Sequence, residues 1–165
     1  MAAEKSVISP NWLRWYVISA LVVVFDQLTK YWVSQSLAPG ESVPFTPFFN
    51  LVLTYNTGAA FSFLSRASGW QRELFILIAA SASALIAYLI MRYQRQKLFS
   101  LGLSLILGGA LGNLWDRIVL GHVVDFLDFY FQAYHWPAFN IADSAITCGA
   151  ALLIWDGFNR SQARN

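Results

Sequence analysis

Two aspartates stand out by their surroundings. Asp125 lies between Val124 and Phe126 in "VVDFLDF" (123–129), and Asp143 in "AFNIADSAI" (138–146) stands just before an apolar run. Two carboxylates brought close cannot both ionise cheaply, so they share a proton. The ionised member can then deprotonate a water. The protonated member can hydrogen-bond the oxygen of a scissile carbonyl, the division of labour of aspartic proteases. That chemistry needs no metal, no cofactor and no nucleophilic side chain. Glycoside hydrolysis also uses two carboxylates, so the pair alone does not name a substrate. A serine mechanism would need a base, for which only His122 and His135 are present, and no G-x-S-x-G stretch accompanies them. The single cysteine, Cys148, excludes an intrachain disulfide, and no Cys/His spacing suits zinc.

The elements that must position this pair are set by composition. The 165 residues suggest one domain, 1–165. They are 57% hydrophobic and only 12% charged, about half the charge of an ordinary soluble domain. A membrane span needs roughly 20 mostly apolar residues. Four segments qualify, at about 12–37, 70–91, 98–119 and 140–158. The expected fold is therefore an all-α membrane protein of four transmembrane helices. Arg14 followed by an apolar run also resembles a secretory signal, but Asp26, Lys30, Tyr31 and Trp32 make a poor cleavage region, so the first helix is expected to be retained. A net charge of +2 is too small to argue for nucleic acid.

Between the first two spans, "FTPFFNLVLTYNTGAAFSF" (45–63) is dense in β-branched and aromatic residues, and "NTG" (56–58) marks a turn. It reads as a small β-rich element lying on one membrane surface. The link between spans two and three, "RYQRQK" (92–97), is short, holds three basic residues and no acid, and is expected to be cytoplasmic. Both termini then face the cytoplasm, with Lys5, Arg14, Arg160 and Arg164 in agreement, while 38–69 and 120–139 lie outside.

Seen in that frame, the polar residues gather at the outer end. Asp26 and Lys30 lie in the outward half of span one. Asn113, Asp116 and Arg117 end span three, Asp125 and Asp128 follow it, and Asn140 and Asp143 open span four. Ionisable residues in a membrane mark function by default. Each also has a structural reading. Asn140 and Asp143 have capping-box spacing. Asp125 and Asp128 can be solvated loop residues. Asp26 and Lys30, four apart, can neutralise each other, and Arg117 can reach to the surface. Gly108 and Gly112 form a GxxxG suited to close helix packing. The joint reading is a site at the outer interface. Asp143 lies only about 5 Å below the start of its helix, so it can meet Asp125 there.

Five stretches together resemble the lipoprotein signal peptidases, or signal peptidase II: "FDQLTK" (25–30), "YNTGAAFSF" (55–63), "GGALGNLWDR" (108–117), "GHVVDFLDF" (121–129) and "FNIADSAI" (139–146). The resemblance implies a four-span aspartic endopeptidase of the bacterial cytoplasmic (inner) membrane. It would cut diacylglyceryl-modified prolipoproteins just before the lipidated cysteine, in contact with membrane phospholipid and without a cofactor. By motif, Asp125 and Asp143 would be catalytic, and Asn56, Asn113, Arg117 and Asn140 would meet the substrate. Asp26, Lys30, Gly58, Gly109 and Gly112 would be structural support. The signal helix would lie near Gly109 and Gly112, and an interfacial helix would share 38–69 with the β-element. Asp128 and the stretch 128–138 receive no role, and the oligomeric state stays open.

Two other classes fit parts of the pattern. A small four-span proton-coupled transporter could use Asp26 and Asp143, but should bind near the midplane. A non-catalytic assembly protein could use the glycines and tryptophans alone. The topology is testable in a Cys148→Ala background with single introduced cysteines. In intact spheroplasts, a membrane-impermeant thiol reagent should label position 42 and not position 96. The reverse pattern would overturn the orientation.

Overall fold

The computed structural model describes residues 12–58 and 70–162. Four helices and four strands follow one another as α1 (Trp12–Ser36), β1 (Ser42–Thr46), β2 (Phe49–Asn56), α2 (Trp70–Tyr93), α3 (Lys97–Val119), β3 (Val123–Phe131), β4 (Tyr134–His135) and α4 (Ile141–Gln162). The helices have 25, 24, 23 and 22 residues and are long and apolar enough to cross a membrane. They match the expected spans to within a few residues. Lys5, Arg164 and the segment 59–69, where part of the expected surface element falls, lie outside the described residues.

The bundle is organised around α3, which packs against each of the other three helices. On those helices Leu21, Leu28, Leu77, Leu85 and Ile154 are exposed. Between the helices, small and polar residues add to the apolar contacts, as expected where lipid is as apolar as leucine. Ser19 Oγ donates to the Ser104 carbonyl at 2.9 Å, and Tyr16 Oη to the Ala87 carbonyl at 2.8 Å. Glycines let the backbones approach. A Cβ at Gly149 would lie 2.5 Å from the Gly102 carbonyl oxygen, and one at Gly112 would lie 2.7 Å from Asp26 Oδ2. A Cβ at Gly109 would meet the Ala142 carbonyl. Gly109 and Gly112 are thus packed against α4 and α1. The signal helix expected near them has no room at those two positions.

The strands form one antiparallel sheet in the order β1-β2-β3-β4. It sits at the end of the bundle where α1 and α3 finish and α4 begins. Gly121, at φ +81°, turns the chain out of α3 into β3, a left-handed conformation that glycine adopts without a Cβ penalty. One sheet face buries Leu53, Val124 and Phe126 against Val33 of α1. A second cluster, Trp15, Ile90, Leu103 and Leu107, holds the opposite end. The expected β-element thus appears as β1 and β2. The other half of the sheet, β3 and β4, comes from 120–139, which was read as a loop. Asp128 is not a solvated loop residue: it is buried, accepting from Asn50 Nδ2 at 2.8 Å and facing His135 Nδ1 at 2.9 Å.

The glycine seam between α3 and α4 makes a direct prediction. Gly149→Ala forces a Cβ onto backbone and should destabilise the protein by about 1–3 kcal/mol. Gly157→Ala, on the same helix with open space around its Cα, should be neutral or slightly stabilising, by up to about 1 kcal/mol. Thermal unfolding in detergent measures both. Equal stabilities of the two variants would mean that the seam is not a tight contact.

Candidate active site

Asp125 is the third residue of β3, and its position opposite Thr54 follows from an irregularity in the pairing. Phe49 and Leu51 of β2 pair with Phe129 and Leu127, whereas Thr54 and Asn56 pair with Asp125 and Val123. One extra residue sits between Leu51 and Thr54. Side chains alternate faces along a strand, so a bulge of one residue reverses the face of all that follow. Asn56 is thereby turned to the face that carries Asp125, and its Nδ2 donates to Asp125 Oδ2 at 3.1 Å. Its own Oδ1 accepts the Gly58 N–H at 2.9 Å, which closes the turn read from "NTG".

Asp143 is the third residue of α4. The first four N–H groups of a helix lack intrahelical partners. Two of them are met here by side chains: Asp26 Oδ1 accepts from Ala142 N at 2.8 Å, and Asn140 Oδ1 accepts from Asp143 N at 2.9 Å. Asn140 is the cap. The Asp143 carboxylate lines the cavity and accepts from Asn113 Nδ2 at 2.8 Å. Asn140 also joins the two aspartates, because its Nδ2 donates to Asp125 Oδ1 at 2.7 Å.

Both carboxylates open on one cavity of about 640 Å³. Asn56, Asn113 and Arg117 share its wall. Trp136, Pro137, Ala138 and Phe139 form another side, and Ser144, Thr147 and Cys148 continue it along α4. Arg117 bridges α3 and the end of β2, donating from Nη1 to the Asn113 carbonyl and from Nη2 to the Gly58 carbonyl, both at 3.1 Å. It also stands 5.5 Å from the Phe75 ring centroid. Burial, and then the charge of Asp143, push Asp125 from 3.8 up to about 7, against the opposing pull of the Asn56 and Asn140 hydrogen bonds.

Behind the cavity is a buried charge cluster. Lys30 Nζ lies 2.7 Å from Asp26 Oδ2 and 2.8 Å from Asp116 Oδ2. Gln27 Nε2 donates to Asp116 Oδ1 at 2.8 Å, and Asp116 Oδ2 accepts the Val124 N–H at 3.3 Å. The Asp26–Lys30 pairing read from their spacing is present, but it extends to Asp116 and Gln27, to which sequence reasoning gave no role. Asp116 lies three residues after Asn113, on the same helix face, which was the available signal. The cavity wall at 136–138 had no such signal. The histidines do not assemble a ligand set: His122 packs on Tyr55, and no group of three or more His, Cys, Asp or Glu side chains suited to a metal occurs among the described residues.

A family model described as signal peptidase (SPase) II matches residues 18–159. Lipoprotein signal peptidases of Burkholderia mallei (strain SAVP1) and Paraburkholderia phymatum are 58% and 56% identical to the chain over 146 residues, 88% of either partner in each case. A bacterial membrane enzyme solved by the in meso method at 2.3 Å superposes with a TM-score of 0.82 at 32% identity, over 92% of both chains. A second such structure, at 1.9 Å, gives a TM-score of 0.75 at 35% identity, over 86% of this chain and 90% of the other. Sequence and fold therefore lead to one assignment, and the chain belongs to the signal peptidase II family.

Proposed function

We propose that Asp125 and Asp143 are the catalytic pair with which this chain, a membrane peptidase, removes signal peptides from prolipoproteins. The observation that carries the reading is the convergence of the two carboxylates, from β3 and α4, on one cavity, with asparagines donating to both. One aspartate is ionised and takes a proton from a water. The water oxygen attacks the scissile carbonyl carbon, while the protonated aspartate hydrogen-bonds the carbonyl oxygen. The C–N bond then breaks as a proton passes to the leaving amine, and the pair is left with one proton again.

The substrate class is the one the family resemblance implies, and the site's place at the sheet end of the bundle suits it. A cysteine carrying diacylglyceryl keeps its cleavage site near the headgroups, where the ends of α3 and α4 meet the sheet. Arg117 is positioned to meet the substrate there, and Asn56, Asn113 and Asn140 hold the pair and its water. The apolar wall of Trp136, Pro137, Ala138 and Phe139 suits the signal segment. We place the sheet on the outer face of the cytoplasmic membrane, with both termini inside. Arg92, Arg95 and Lys97 at the α2–α3 turn support this orientation. A transporter reading fits less well, because the pair and its supporting charges sit at the sheet end of the bundle instead of its middle.

Asp125→Asn and Asp143→Asn should each insert and fold, yet lose cleavage of a diacylglyceryl-modified prolipoprotein by orders of magnitude. The double variant should be little worse, since residues acting as a unit are strongly non-additive. Substantial cleavage by a folded single variant would remove that residue from the pair. The pH dependence follows from Asp125. Its value of about 7 in the fold means that the pair loses its shared proton as pH rises past neutrality, so kcat should fall on the alkaline side. An unchanged rate from pH 6 to 9 would contradict this. The same shift sets stability. The folded value exceeds the unfolded one, so ionised Asp125 destabilises the fold increasingly from about pH 4 to about pH 7. Asp125→Asn should therefore unfold at a higher temperature than the parent at pH 8, with the gap closing toward pH 4. A gap that widens toward acid would reverse the sign.

A further inference from the structure

The three asparagines that donate to the aspartates share a logic of orientation. An amide side chain can present either its oxygen or its NH₂ group, and its other partner decides which. Asn56 Oδ1 accepts the Gly58 N–H, and Asn140 Oδ1 accepts the Asp143 N–H. A backbone N–H only donates, so in both residues the NH₂ group must face Asp125. For Asn113 the deciding partner is a side chain. Lys30 Nζ donates to Asn113 Oδ1 at 3.0 Å. An ammonium also only donates, so the Asn113 NH₂ group is turned toward Asp143 Oδ1, at 2.8 Å.

Lys30 is well placed to enforce this. It is buried, and its three ammonium hydrogens have three acceptors: Asp26 Oδ2, Asp116 Oδ2 and Asn113 Oδ1. The two carboxylates hold the ammonium, and the third hydrogen holds the amide. The one other donor to Asn113 Oδ1 among the described residues is Asn140 Nδ2, at a longer 3.3 Å. If Asn113 reversed, its oxygen would face both Asp143 and the loss of its bond to Lys30. Of the three groups that orient these amides, Lys30 is the side chain, and so the one that a substitution can remove.

We propose that Lys30 is a positioning residue for the peptidase reaction: by donating to Asn113 Oδ1 it fixes the amide so that its NH₂ group faces Asp143. This goes beyond joining α1 to α3, and it rests on the assignment of Asp125 and Asp143 as the catalytic pair. Lys30 is not among the residues that line the cavity. It acts through Asn113 on the one carboxylate that this amide holds.

The test uses the full chain in detergent–lipid micelles and a diacylglyceryl-modified prolipoprotein, with rates normalised to the monodisperse, folded fraction. Lys30→Met should lower kcat at least tenfold and leave KM within threefold. In an Asn113→Ala background, read under single-turnover conditions, the same Lys30→Met change should lower the rate by less than threefold, because the amide it orients is gone. A purely structural Lys30 would reduce the folded fraction, leaving the normalised kcat unchanged or reducing the rate by the same factor in both backgrounds. Either result overturns the proposal. Lys30→Met leaves two buried carboxylates without their cation, and can fail to fold. The charge-matched pair Lys30→Met with Asp116→Asn is then compared with Asp116→Asn alone, under the same criteria. Asp125→Asn and Asp143→Asn serve as controls. If these stay active, the catalytic assignment itself has failed. If they are inactive and the Lys30 effect is independent of Asn113, only the positioning role has failed.

Discussion

A carboxylate at the end of an apolar helix bundle must be met by donors, and much of this structure is an answer to that constraint. Burying an ionised group without partners is strongly unfavourable. Asp26, Asp116, Asp125 and Asp128 are each less than a tenth exposed. Each is supplied at least in part from an element other than its own. Asp26 draws on Lys30 and the first turn of α4, and Asp116 on Lys30, Gln27 and the start of β3. Asp125 draws on Asn56 and Asn140, and Asp128 on Asn50. The donors cross between α1, α3, α4 and the sheet, so satisfying the charges also fixes how these elements sit together. Apolar packing supplies little of that specificity inside lipid, where every helix face is equally greasy.

Asn140 shows how tightly folding and chemistry are joined. Its oxygen caps α4, and its nitrogen holds Asp125. The capping reading of "FNIAD" and the catalytic reading are therefore compatible: the cap is Asn140, and Asp143 is one of the residues being capped, with its carboxylate left for the cavity. Asp26 completes this by taking the Ala142 N–H from a distant helix. The residue read as support from its spacing to Lys30 is thus also part of the start of α4.

The legible parts of the fold were those written in local pattern. Four long apolar runs gave four helices, because a span is read from length and hydropathy alone. The Asp26–Lys30 spacing and the turn at Asn56 were visible for similar reasons, since both are contacts within a few residues. The second half of the sheet was not. In "VVDFLDFYF", Asp125 and Asp128 interrupt an apolar strand, and partners from β2, from β4 and from Asn140 at the start of α4 make their burial tolerable. The wall formed by Trp136, Pro137 and Ala138 depends likewise on where β4 and the Leu127–Phe139 bridge carry the chain. The extent of the Lys30 cluster was hidden because Asp116 and Gln27 are joined across 89 residues. The roles of the site residues came from motif resemblance. The hydrogen bonds that make those roles physically reasonable came from the fold.

The extra residue in β2 has a consequence for how such chains should be compared. Between Asn50, which meets Asp128, and Asn56, which meets Asp125, the count of intervening residues is itself a functional parameter. Removing one residue from 52–53 would leave composition, hydropathy and strand propensity almost untouched. It would nonetheless rotate the Asn56 amide to the opposite side of the sheet. A homologue carrying every motif residue but one residue fewer in that interval would have the right letters on the wrong face, and spacing would have to be weighed alongside identity before an activity was assigned to it.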